Sequence, residues 1–328
     1  MADLLYPFWQ IFLYIQSANR RSMEHAACPI YLRGFAELTA SILFLSVFSC
    51  TQSYTPPAIK GNNNFLVVDG FINTGSDSTI FNLSNSVNLG DSMPFAAVTG
   101  AQILVQGSGG YTSELIELGN GRYGAAALNL DTSQQYRVSI STPDGNQYLS
   151  KFSEPVQTPP IDSISWKQLS SGVQLLVTTH DPQHLVNYYQ WQFAEAWEYH
   201  ANFFAYVIFE NGAIVDRDSS QQVYACWSTA NSTDILVGSN AGLSQGIIYE
   251  QPLTTIPPAS VKLSVEYSIL VKQSGLTKDA YTFWQNLKAN TEELGSLFGP
   301  LPSEVSRNIV GVSEPSLPVL GYISAGNF

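Results

Sequence analysis

The strongest constraint on this chain is a series of short strand-like runs separated by turn residues. Phe65–Ile72, Thr79–Leu83, Ala101–Val105, Glu114–Leu118, Gly121–Leu128 and Gln135–Ile140 are rich in β-branched, aromatic and aliphatic side chains. Gly109-Gly110, Gly119-Asn120-Gly121 and Pro143-Asp144-Gly145-Asn146 fall between them and supply the left-handed or pre-set backbone that tight turns need. Tyr136, Val138 and Ile140 alternate with Arg137 and Ser139, so this strand has one buried face and one wet face. Many short strands in so few residues predict an immunoglobulin-like β-sandwich over 65–158.

Pro155, Pro159 and Pro160 mark the end of that unit as a stiff, extended connector. A second β-rich, sandwich-like domain is expected over 159–328. Its strand signals are Ile161–Trp166, Val173–Val177, Tyr189–Phe193, Phe203–Phe209 and Lys262–Val271. One helix is expected at about 277–294. Ala280, Phe283, Trp284 and Leu287 fall at i, i+3, i+4 and i+7, and Ser274 or Thr277 can cap it. The stripe reads as packing against the second sheet.

Ten of the 22 residues from Tyr188 to Phe209 are aromatic. Tyr189, Trp191, Phe193, Trp197 and Tyr199 share one parity, which reads as the core of a sandwich. The functional alternative is an aromatic surface for a ligand or partner, with Trp191, Trp197, Tyr199 and Tyr188 as the candidate residues, since Tyr and Trp are enriched at interfaces.

No catalytic residue or metal site stands out, and no cofactor is expected. Gly242-Leu243-Ser244-Gln245-Gly246 matches a nucleophile elbow in letters, but strand-like Ile247–Tyr249 follows where that motif needs a helix, and His180, His184 and His200 all precede Ser244. His180 and His184 are four apart, but Pro182 between them breaks a zinc-binding helix. Glu195 and Glu198, three apart on a strand, point to opposite faces and would not flank one glycosidic bond.

Upstream, Leu38–Phe48 is an apolar run of eleven residues. That is too short for a bilayer-spanning helix of about 20 residues and fits the apolar core of a secretory signal. It ends in Phe48-Ser49-Cys50, which resembles a bacterial lipobox, so residues 1–49 are expected to be removed and Cys50 to be lipidated. Acyl chains contribute about 0.8 kcal/mol per buried methylene, and several together anchor stably. Residues 1–22 fit a signal poorly, and Met23 is the expected start. Polar, Asn- and Pro-containing 50–64 reads as a tether. Of Cys28, Cys50 and Cys226, only Cys226 then remains as a thiol, expected inside a strand.

Composition decides what such a protein touches. The chain has 328 residues, 14 Lys plus Arg and 26 Asp plus Glu, a formal net charge of −12. The basic and acidic residues of 1–49 balance, so the excess belongs to the exported part. Nucleic acid is excluded as a partner because phosphate binding needs a basic face. Adhesion to anionic headgroups is disfavoured too, which leaves the lipid on Cys50 as the membrane attachment. A hydrophobic share of 45% excludes disorder.

The order of features after Cys50 resembles a known family. Phe65–Ile72, Ala101–Val105, Gly121-Arg122-Tyr123, Tyr136–Ile140, Asn187–Trp191, Gly275–Trp284, Gly295–Phe298, Asn308-Ile309 and Val319–Tyr322 follow one another as in the domain-of-unknown-function 4249 family of Bacteroidetes outer-membrane lipoproteins. The resemblance implies a protein encoded beside TonB-dependent receptor genes and carries no enzymatic activity. The expected function is therefore a non-enzymatic, lipid-anchored accessory or substrate-binding subunit of a TonB-dependent transporter, with the membrane and a receptor barrel as partners. A stand-alone surface lipoprotein that binds glycans or peptides is the alternative, and a hydrolase a remote one.

Overall fold

Alternation of apolar and polar side chains organises most of the fold. The computed structural model describes residues 65–87, 95–243, 246–292, 307–312, 314–315 and 319–328. The signal segment 1–49, Cys50 and the tether 50–64 lie outside the described residues, as do Ser244 and the last residues of the expected helix.

The first strands are β1 (Leu66–Asn73), β2 (Thr79–Asn85), β3 (Ala96–Ala97), β4 (Gln102–Gly107), β5 (Thr112–Gly119), β6 (Arg122–Ala125), β7 (Tyr136–Ser141), β8 (Gln147–Ser150) and β9 (Pro155–Val156). Next come β10 (Ile161–Leu169), β11 (Gly172–His180), β12 (Tyr188–His200), β13 (Val207–Glu210), β14 (Ala213–Asp216), β15 (Ala225–Asn231), β16 (Leu236–Ser239), β17 (Ile247–Ile256) and β18 (Glu266–Gly275). Helix α1 (Lys278–Thr291) follows, then β19 (Ile309–Gly311), β20 (Val319–Leu320) and β21 (Ser324–Gly326). The protein is thus mainly β, in several sheets, with one α-helix among the described residues.

In the first sheet the order is β19-β8-β7-β4-β5-β6-β2-β1-β21-β9, with β20 also on β1 and β3 on β2. Strand β5 joins two arms, pairing with β4 on one side and with β6 on the other, and its register shifts between Glu117 and Gly119. Ile103 and Val105 of one arm share a core with Val68, Phe81 and Leu83 of the other, so the two arms face each other.

The chain path departs from a simple division at 158/159. Strands β19, β20 and β21 return from the end of the chain to the first sheet: β19 on β8, and β20 and β21 in parallel on β1. Gly321 makes the return between β20 and β21. Its φ is +138°, and a Cβ there would lie 2.1 Å from the Val68 carbonyl oxygen, so only glycine fits. Asn308, itself buried, ties the segment down. Its side chain donates to the Ile323 carbonyl at 2.7 Å and accepts from the Ile323 N–H at 2.9 Å.

The second sheet system has two layers. One is β10-β11-β17; the other is β12 flanked by β15, β16 and β18. Val177, Ile248 and Leu253 of the first layer pack against Tyr189, Trp191 and Phe193 of β12. Helix α1 starts at Thr277, whose side chain accepts from the Ala280 N–H; Asp279 lies in its first turn and Lys288 in its last, favourable at those ends of the helix dipole. Of the stripe, Ala280 and Phe283 are buried while Trp284 and Leu287 are half-buried. The helix touches β12 and β16 of the second system, and Phe283 also stacks on Tyr322 of the returning segment, 5.3 Å between ring centroids.

The proline-rich connector is not a free spacer. The Thr158 N–H donates to Asn327 Oδ1 at 2.7 Å, and its hydroxyl donates to the Asn327 carbonyl at 2.6 Å and accepts from the Gly275 N–H at 2.9 Å. One residue thereby joins the end of the first sheet to the end of β18. All described residues fall in one compact unit, Asn62–Phe328.

Candidate functional site

The aromatic strand β12 divides by parity. Tyr189 and Trp191 are fully buried and Phe193 and Trp197 each 9% exposed, while Tyr188 and Tyr199 are half-buried. Of the candidate surface residues Trp191, Trp197, Tyr199 and Tyr188, the structure buries the two tryptophans and leaves the two tyrosines half-buried, which favours the core reading of this strand. Trp191 packs against the β10-β11-β17 layer, whereas Trp197 is covered by Lys262, whose Nζ lies 4.9 Å from the ring centroid. Tyr188 packs on Tyr281 of α1, 4.9 Å between centroids.

Inside, the polar groups are matched. Trp191 Nε1 donates to Gln273 Oε1 at 2.7 Å, and Gln273 Nε2 donates to the Pro159 carbonyl at 2.8 Å and to Thr179 Oγ1 at 3.0 Å. Asp181 accepts from the N–H groups of Gln183, Leu185 and Val186 at 2.7–2.9 Å. Burial works against its charge, but these backbone donors outweigh it and hold its carboxyl below the usual range. Tyr189 donates to the Val186 carbonyl, and burial, then the nearby Asp181 charge, push its phenol up to about 12.

The acidic and histidine candidates sit apart. Buried Glu195 pairs with Lys262 and accepts from the Tyr267 hydroxyl at 2.7 Å; burial first, and then the Glu195 hydrogen bond and charge, raise the Tyr267 phenol. Glu198 turns to the other face and meets His200 Nε2 at 2.9 Å. His180 ends β11 and pairs with Asp162 at 2.7 Å, whereas His184 sits in the following turn with φ +55°. Among the described residues no group of three or more His, Cys, Asp or Glu is placed to hold a metal ion. After Gly246 the chain enters strand β17, not a helix. Cys226, expected to be buried, is only half-buried on β15, an edge strand.

What the aromatic reading missed lies on the even-numbered face. Gln190 and Gln192 point away from the core, opposite Ser274 and Lys272 of β18 in register. Facing them is the outer side of the first sheet, where Asp69 pairs with Asn82 and Phe71 with Ile80. The two outer faces line a cleft of about 290 Å3, and Trp284, Tyr322, Ser324 and Phe328 complete it. The charges there are engaged: Asn82 Nδ2 donates to Asp69 at 3.1 Å, and Lys272 lies 4.7 Å over the Phe328 ring and 4.0 Å from Asp77. An apolar hollow of about 410 Å3 adjoins it, sharing Trp284 and Tyr322 as a wall. In the sequence the two glutamines show only as outward positions between core aromatics on one strand.

A second exposed feature is the hairpin β13–β14. Its two-residue turn is Asn211-Gly212, at φ +51° and +82°, the positive angles a type I′ turn requires. Phe209 and Ile214 pair across it and are 72% and 73% exposed. Ile208 and Val215 pair on the other face. Phe203 and Tyr206 at its base are 86% and 73% exposed.

These features define a mainly β protein with a polar cleft between two sheet systems and an apolar projection on one of them. The chain belongs to the family described as Domain of unknown function (DUF4249), which matches residues 51–328. No curated protein matches the chain.

Proposed function

We propose that this chain is a non-enzymatic outer-membrane lipoprotein, anchored through Cys50, that acts as an accessory or substrate-binding subunit of a TonB-dependent transport system. The observation that carries this reading is the β13–β14 hairpin. A two-stranded hairpin alone is marginal in water, and one that exposes large apolar side chains on both faces calls for a partner. The occupant is a protein surface with an apolar groove and a basic rim. Glu210, Asp216 and Asp218 outnumber Arg217 around the hairpin, so a second acidic copy or an anionic headgroup layer would be repelled. Cys50, one small residue (Ser49) beyond the apolar run Leu38–Phe48, supports the anchor. Among the described residues no helix is long and apolar enough to cross a membrane.

The first sheet is read, within the same proposal, as an immunoglobulin-like sandwich. Its antiparallel strands with a shared core between two arms support this; the parallel returns of β20 and β21 are additions to such a plan.

The test is purification from detergent-solubilised outer membranes of the source bacterium. A TonB-dependent receptor barrel should co-purify with the wild-type chain and be lost with the Phe209→Ser, Ile214→Ser double variant. Repeated recovery of the wild-type chain without such a barrel would overturn the reading. Labelled palmitate should enter the chain and be absent from Cys50→Ala.

A further inference from the structure

We infer that the cleft between the two sheet systems is a binding site for a neutral saccharide. This goes beyond the docking role of the hairpin and does not depend on it.

Three observations converge. First, polar groups line the cleft without partners. Ser324 is 8% exposed and lines the cleft, and its buried hydroxyl makes no hydrogen bond within the chain, which is uncommon for a buried polar group. The carboxamides of Gln190 and Gln192 enter from β12 and, among the described residues, also take no hydrogen bond within the chain. A carboxamide presents an acceptor oxygen beside two donor hydrogens. Sugar hydroxyls both donate and accept, so neighbouring hydroxyls match that pair.

Second, the cleft has aromatic walls. Trp284, Tyr322 and Phe71 line it, and an aromatic face suits the C–H side of a pyranose ring. Trp284 is only half-buried, held edge-on by Phe283 at 5.2 Å, so part of its indole stays available.

Third, the one lysine that lines the cleft is already engaged within the chain. Asp69 is bonded by Asn82, and Lys272 rests on Phe328 beside Asp77. An anion therefore finds no unpaired positive charge and meets the carboxylate of Asp69, whereas the hydroxyls of a neutral polar ligand can donate to that carboxylate. The volume of about 290 Å3 sits at the low end of ligand pockets, roughly 300–1,000 Å3, and so suits a small ligand or the end of a longer one.

The site is also pre-formed. Thr158 and Gln273 lock β18 and the connector to both sheet systems, so little ordering remains when a ligand enters.

The experiment is saturation-transfer NMR on the folded, soluble chain without its signal segment. The probes are neutral gluco-, manno- and galacto-oligosaccharides, with a glucuronate-containing oligosaccharide and tetra-alanine as separate arms. Saturable binding of at least one neutral oligosaccharide is expected. It should weaken at least tenfold in Gln190→Ala, Gln192→Ala and in Trp284→Ala. The glutamine variant should keep the wild-type circular dichroism and Tm, because both side chains point away from the core, which separates a loss of binding from unfolding. No saturable binding to any neutral probe would overturn the inference, as would binding unchanged in both variants. Binding confined to the acidic sugar or to the peptide would overturn it too. The hairpin variant Phe209→Ser, Ile214→Ser should bind saccharide as the wild type does, which separates this test from the docking test.

Discussion

The cleft and the hairpin are built by opposite rules. Around the cleft, polar groups from both sheet systems are tied to one another, and a core backs each wall. Thr158 alone links the Asn327 and Gly275 backbones. The hairpin has ideal turn chemistry at Asn211-Gly212 but no core behind it, and its apolar pairs face solvent. The first region is complete as it stands and keeps a few polar groups in reserve. The second is complete only against another surface. A fold can thus separate a rigid recognition site from an adhesive one by placing them on different layers.

The comparison can be broken most directly from the side of the core. Trp191→Ala removes the largest fully buried side chain among the described residues, and unfolding by urea should show a loss of about 3–5 kcal/mol. A loss under about 1 kcal/mol would mean that the second core does not carry the cleft wall. Gln273→Leu should come next. It keeps the volume but strands Trp191 Nε1 and the Pro159 carbonyl, each at a cost of about 1–3 kcal/mol, and the same unfolding curve measures it.

The pH dependence sharpens the picture on the core side. The folded carboxyl of Asp181 lies below its ordinary value, so its contribution is present above the usual carboxylate range and is lost as pH falls through the folded value. Asp181→Asn should therefore show a shallower loss of stability on acidification than the wild type. Tyr189 runs the other way. Its phenol is raised to about 12, so its contribution is present below about 10 and fades as pH rises between the two. Tyr189→Phe should flatten the alkaline limb of the stability curve.

The smallest effect on stability belongs to the hairpin. Phe209→Ser with Ile214→Ser changes exposed side chains, and each should move stability by no more than about 0.5 kcal/mol. Partner capture should nonetheless disappear. A large fall in Tm would show that the hairpin is part of the core rather than a projection.

Much of the fold was legible from local pattern. Strands β1, β2, β4, β5 and β7 start within two residues of where the runs of alternating side chains place them, because alternation and turn residues are local signals. The inward set of β12 follows from parity alone. The short returns β19, β20 and β21 were not legible. Two or three residues carry no period, and their partners lie far away in sequence. Trp284 was legible only as a helix stripe. That it forms a cleft wall depends on Tyr322 arriving from the end of the chain, through a turn that only Gly321 allows. The glutamines were legible as the wet side of a strand, but not as a site, since the opposing wall comes from β1 and β2.

The sequence by itself determined the β character, the helix that follows Thr277, the inward face of the aromatic strand and membership of the family. Each rests on spacing between near neighbours or on an ordered series of short motifs, which a linear reading contains. Tertiary structure alone decided that the end of the chain completes the first sheet, that the connector is a hydrogen-bonded joint, and that two polar outer faces meet as a cleft. Those outcomes depend on pairings across more than a hundred residues, where no local period specifies the partner.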